Sequence, residues 1–204
     1  MRALRIDPLI LTIIIAILTA ILVFAIAWVL LYADILSPSS SMVIVEGVND
    51  TTNLTDPSLM ARYLPMPPHG WEEYNTTAKY VNEPSGLFSF ASGEYARPGT
   101  NITSLVVIYD SDGSDIVWNN IYKTGFIYES ADGYARTYRY KNMPSWETAR
   151  YAPDGNAYGM YVRLDDRYGM AITLKNATDS SPLRDFADRI NIYEIRSLKT
   201  KKKN

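Results

Sequence analysis

The chain of 204 residues carries 20 basic and 22 acidic side chains, a net charge of −2, with one histidine and no cysteine. That balance supplies no clustered basic face, so nucleic acid is not an expected partner. The missing thiols exclude a disulfide framework, a cysteine nucleophile and thiolate metal sites. A single imidazole excludes a multi-histidine zinc or iron centre within one chain.

Residues 1–8 form a short stub with Arg2 and Arg5 against Asp7, and residues 9–33 follow as an uncharged apolar run interrupted only by Thr12 and Thr19. A hydrocarbon core of ~30 Å needs roughly 20 apolar residues in helix, so this run predicts one transmembrane signal-anchor. A cleaved signal peptide has a shorter apolar region of about 7–15 residues, and Leu31-Tyr32-Ala33 is a poor cleavage site. Basic residues beside the span favour a cytoplasmic N-terminus and an extracytoplasmic remainder. Thr12, Ala16, Thr19, Ala20 and Ala27 fall near one helical stripe, where small residues let another membrane helix approach. N-x-[ST] triplets at Asn49, Asn53, Asn75, Asn101 and Asn176 agree with that side of the membrane and are the candidate glycosylation sites.

Residues 34–69, with Ser37-Pro38-Ser39-Ser40-Ser41 and Pro65-Met66-Pro67-Pro68, read as a stalk that is partly ordered at best. Met42–Glu46 could form a short strand within it. Residues 70–197 read as the folded domain. Leu87–Phe90 is a short strand and Ser104–Asp110 a buried one. Asp132-Gly133 turns into Tyr134–Lys141, which places Tyr134, Arg136, Tyr138 and Tyr140 on one face. Sixteen tyrosines against five phenylalanines suit half-wet sheet faces.

Tyr158–Leu174 is a hairpin whose two apolar sets must reach one face. Only an odd loop does this, most simply Asp165-Asp166-Arg167, which predicts Val162 opposite Met170 and Met160 opposite Ile172. Ser181 can cap a helix with Pro182 in its first turn and Leu183, Phe186, Ala187 and Ile190 on its apolar stripe. The segment INIYEI reads as a final strand, 115–126 as either helix or strand, and 198–204 as a solvated basic tail. The predicted class is α+β: one membrane helix, then a mainly antiparallel sheet carrying one or two helices, with an all-β sandwich as the alternative. The hairpin followed by SSPLRDFADRINI and a last strand resembles the PsbP-type sandwich in element order.

Asp110, Asp112 and Asp115 lie within six residues after a strand and are the candidate ligands for a hard cation such as calcium. The same residues also build ordinary turns. His69 has no G-x-S-x-G motif to serve, and the acids of Glu72-Glu73 and Asp165-Asp166 point apart on a strand. No catalytic residue and no cofactor beyond calcium is expected. The reading is a non-enzymatic envelope protein in the bilayer, binding a membrane or envelope protein or a surface glycan as an accessory subunit. The alternative is a surface-filament subunit: Arg2-Ala3-Leu4 and Asp7-Pro8 ahead of the apolar run resemble archaeal type IV pilins and archaellum-associated proteins. A metal-dependent enzyme ranks last.

Overall fold

The computed structural model describes residues 43–44, 53–83, 86–112 and 125–198. The apolar run 9–33 with its stripe Thr12, Ala16, Thr19, Ala20 and Ala27, the triplet at Asn49, Asp115 and the lysines after Leu198 lie outside them. The choice between helix and strand for 115–126 also falls mostly outside. Among the described residues no helix is long and apolar enough to cross a membrane.

The strands are β1 (Val43–Ile44), β2 (Glu72–Glu83), β3 (Gly86–Ala96), β4 (Thr103–Asp110), β5 (Ile127–Ser130), β6 (Gly133–Tyr140), β7 (Met143–Arg150), β8 (Ala157–Arg163) and β9 (Tyr168–Lys175). The helices are α1 (Pro57–Ala61), α2 (Ser181–Asp188) and α3 (Ile192–Ser197). The nine strands among the described residues join one antiparallel sheet in the order β1-β2-β3-β4-β9-β8-β7-β6-β5. Two meanders therefore meet where β4 pairs with β9. The domain is β-rich, and a single open sheet stands where the alternative expectation placed a two-sheet sandwich.

Alternation builds the middle of the sheet. Val106 and Ile108 on β4, Met160 on β8, and Met170, Ile172 and Leu174 on β9 share one face and are at most 1% exposed. Burying each such side chain is worth roughly 1.5–3 kcal/mol. Val162 pairs with Met170 and Met160 with Ile172, as the loop argument requires. Leu164 N–H still donates to Tyr168 O, which leaves Asp165, Asp166 and Arg167 as the loop. The Asp165 carboxylate closes it by accepting Arg167 N–H at 2.8 Å and Tyr168 N–H at 2.7 Å.

The helices cover this face. Leu183, Phe186 and Ala187 of α2, and Ile190 beyond its end, are buried as the spacing predicts. The cap differs. Ser181 is the first helical residue, Ser180 makes no side-chain cap bond, and Asp179 accepts Ser181 N–H at 2.8 Å. The expected final strand INIYEI is instead α3. Asn191 Oδ1 accepts Glu194 N–H at 3.4 Å, and Ile192 and Ile195, three apart, turn one side to the core. The element order shared with the PsbP-type sandwich ends there. Asn191→Ala is expected to cost about 0.5 kcal/mol, the low end for a cap because the bond is long, read as a lower denaturation midpoint.

The outer stalk also differs from expectation. Leu54, Thr55 and Met60 are buried, and Met60 and Trp71 belong to the central apolar cluster. Asp56 caps α1 by accepting Ser58 N–H at 2.8 Å. Tyr95 donates its hydroxyl to Pro65 O at 2.8 Å. Residues 53–71 thus form a strap across β3 and belong to the domain, because the apolar residues among the prolines and threonines complete its core.

Candidate functional site

Two polar clusters stand out, one at the end of the sheet where β4 stops and β9 starts. Asp110 is fully buried and its two oxygens meet four donors. Oδ1 accepts Arg167 Nε at 2.8 Å and Asp112 N–H at 3.0 Å; Oδ2 accepts the Arg167 terminal nitrogen at 2.7 Å and Thr55 N–H at 2.6 Å. The same guanidinium reaches Asn53 O and lies 3.5 Å from Asp112. Ser89 donates to Thr55 O at 2.5 Å. Tyr168 Oη sits 2.6 Å from Thr55 Oγ1 and donates to Leu198 O at 2.8 Å. This cluster fastens the start of the strap and the end of α3 to the sheet.

Of the candidate calcium ligands, Asp110 and Asp112 lie near one another and Asp115 is outside the described residues. A cation at Asp110 would have to displace a bidentate arginine. Asp112 sits at φ +49° in a turn. Among the described residues no group of three potential ligands gathers. The melting temperature is accordingly expected to be the same in chelator and in millimolar calcium, by calorimetry; a rise with calcium would reinstate the ligand reading.

The second cluster lies on the same sheet face, at the β5 edge. Glu147 on β7 is 3% exposed and accepts Arg136 at 2.8 Å and the Tyr134 hydroxyl at 2.5 Å. Arg136 lies over the Tyr134 ring, 4.9 Å from its centre, and Arg184 of α2 over Tyr138 at 5.7 Å. Tyr140 donates to Asp188 at 2.6 Å, and Lys141 pairs with Asp188 at 3.0 Å. The tyrosines of β6 therefore clasp one side of α2. Lys141 and Asn142, both at positive φ (47° and 67°), make the tight turn to β7. Beside Arg136, its cross-strand partner Ile127 on β5 is 75% exposed. Among the described residues β5 has a strand on one side only.

Burial, with Glu147 nearby, pushes the Tyr134 and Tyr138 hydroxyls up to about 12. A raised native pKa means the folded state holds its protons longer than the unfolded one. The stabilisation from these groups is complete below pH 10 and lost as pH climbs from 10 towards 12. Melting temperature is expected to fall across that interval, less steeply in Tyr134→Phe, with tyrosinate absorbance following the transition.

The tyrosine face of β6 was visible in the alternation, but its anchor Glu147 was not singled out. The available signal was an acid at an inward position, between Ser145 and Ala149 of a strand that alternates. The glycosylation candidates differ in their surroundings. Asn53, Asn75 and Asn101 are exposed, and the Asn75 amide donates to Glu94 at 2.7 Å. Asn176 is half-buried at φ +60° and its amide donates to Asn101 O at 3.0 Å, so a sugar there would forfeit that bond. His69, Glu72 and Glu73 are exposed on the strap and β2.

Fold and sites together define an open antiparallel sheet with short helices on one face and two tightly paired buried carboxylates. No protein family, curated protein or solved structure matches the chain.

Proposed function

We propose that the chain is a single-pass envelope protein, anchored by residues 9–33, whose extracytoplasmic domain is an accessory subunit that binds another envelope protein along the β5 edge. The apolar run, the basic stub and the five glycosylation triplets support the anchoring and its orientation. The observation that carries the binding role is Ile127, three-quarters exposed on an edge strand beside an arginine stacked on tyrosine. Open strand edges accept an added strand through main-chain hydrogen bonds, and Tyr and Arg are enriched where protein interfaces carry their energy. Both buried carboxylates are held by arginine, which suits a rigid scaffold better than a proton-transfer site.

The test has two arms. Protease added to sealed cells should remove the domain while the N-terminal fragment stays in washed membranes; protection of the domain would overturn the topology. In gentle detergent the wild-type chain should migrate as a complex that Ile127→Lys dissolves without altering the melt. An unchanged complex size would overturn the docking edge. Mass spectrometry of the native chain separates the filament reading, which requires a chain beginning at Leu4.

A further inference from the structure

We infer that the cleft between the β6–β7 turn and the elbow joining α2 to α3 binds one anionic sugar residue, a uronate of a glycan chain. The cleft measures about 260 Å³. Pockets for drug-sized ligands run to ~300–1,000 Å³, so this one takes a single ring rather than an extended molecule. Lys141, Asp188, Arg189, Asn191 and Tyr193 line it. Its frame is set before any ligand arrives. Ile190 and Ile192 are at most 3% exposed, and Arg189 N–H, Ile190 N–H and Ile192 N–H donate to Phe186 O, Ala187 O and Ile190 O. On the facing side, Lys141 sits in the positive-φ turn with its ammonium 5.0 Å from the centre of the Tyr140 ring.

The polar groups are oriented yet unsatisfied. Asp188 accepts the Tyr140 hydroxyl at 2.6 Å and meets Lys141 at 3.0 Å, both through Oδ1, so Oδ2 keeps its acceptor capacity among the described residues. The Tyr140 hydroxyl, then Lys141, hold this carboxyl below the ordinary range, so it stays a charged acceptor. Asn191 engages Oδ1 with Glu194 N–H and retains its amide donors. Arg189 has no ion-pair partner among the described residues, and Tyr193 is 70% exposed. Each feature answers one part of a uronate. A pyranose packs its C–H face on an aromatic ring, while its hydroxyls both donate and accept, here to Asp188 Oδ2 and from Asn191. The uronate carboxylate matches the planar fork of Arg189, with Lys141 beside it. Two cations against one carboxylate leave the lining net positive. A neutral sugar would leave a cation unanswered, inorganic phosphate would make no use of the ring and would face Asp188, and a metal ion would meet two like charges.

The test uses the full chain in phosphatidylcholine nanodiscs, which carry no sugar of their own. It is titrated with trigalacturonate, with the neutral galactose trimer and with inorganic phosphate, and binding is read by saturation-transfer difference NMR. Trigalacturonate is expected to bind several-fold more tightly than the neutral trimer, with enhancement concentrated on the ring protons of one sugar residue. Arg189→Ala should weaken it about ten-fold through the lost charge-assisted pair. Tyr193→Ala should weaken it about five-fold, and Tyr193→Trp should retain it. Both side chains are exposed, so the melting temperature should be the same in all three variants. No binding, equal affinity in wild type and both alanine variants, a neutral trimer that binds as tightly, or displacement of trigalacturonate by equimolar phosphate would each overturn the inference. None of these outcomes bears on the anchor or on the β5 edge, because the cleft shares no residue with either.

Discussion

Arg167→Ala is expected to destabilise the domain by about 3–5 kcal/mol, which lowers the melting temperature of a chain this size by roughly 10 °C. The reason is what remains: Asp110 keeps its place at zero exposure, facing only two backbone N–H groups. Removing one partner of a buried ion pair leaves a charge that neither water nor protein solvates. The loss also unfastens Asn53 and Asp112. Arg167→Met combined with Asp110→Leu should recover part of the stability, because an apolar pair fills the volume without a charge. Full recovery is not expected, since Thr55 N–H and Asp112 N–H then lack their acceptor. Equilibrium unfolding of the three variants decides the point. Equal stability of Arg167→Ala and wild type would mean that the ion pair contributes nothing.

Phe186→Ala is expected to cost about 3–5 kcal/mol through the cavity it leaves. The ring is fully buried, edge-on to Trp71 with centroids 5.1 Å apart and tilted against Tyr95 at 4.8 Å. It therefore joins α2, the strap and β3 at one point. Phe186→Leu should cost less than about 1.5 kcal/mol, because most of the volume is retained. Limited proteolysis supplies a second readout. Cleavage should appear first within 53–71 in the alanine variant, since Trp71 loses the ring it packs edge-on against; cleavage elsewhere first would place the weakness outside the strap.

The most legible parts of the fold were those where burial repeats with a period. The β8–β9 register followed from two apolar sets that one loop length alone could bring to a single face. The stripe of α2 followed from spacings of three and four. β2 was illegible for the converse reason: Glu72–Thr76 and Ala78 are exposed, so twelve residues of strand carry almost no hydrophobic alternation. That strand is held by pairing along β3, information that resides in its neighbour. INIYEI misled because Ile190 and Ile192 alternate like a strand while Ile192 and Ile195 repeat like a helix, and the Asn191 cap tips the balance. The calcium candidate showed the limit of local motifs. Asp110 was noticed for its company of nearby acids, but its environment is set by Arg167, which belongs to the β8–β9 loop and meets it only through the β4–β9 pairing.

That pairing has a consequence for biosynthesis. β4 offers a finished, apolar edge as soon as Asp110 leaves the ribosome, yet its neighbour is not complete until Lys175 follows. At ~5–20 residues per second the wait lasts on the order of ten seconds or less, long enough for a bare edge to find the wrong mate. Closure between such distant segments is also intrinsically slow. The newborn domain should therefore depend on a holding chaperone, and depleting such factors should reduce its yield before it affects the mature protein.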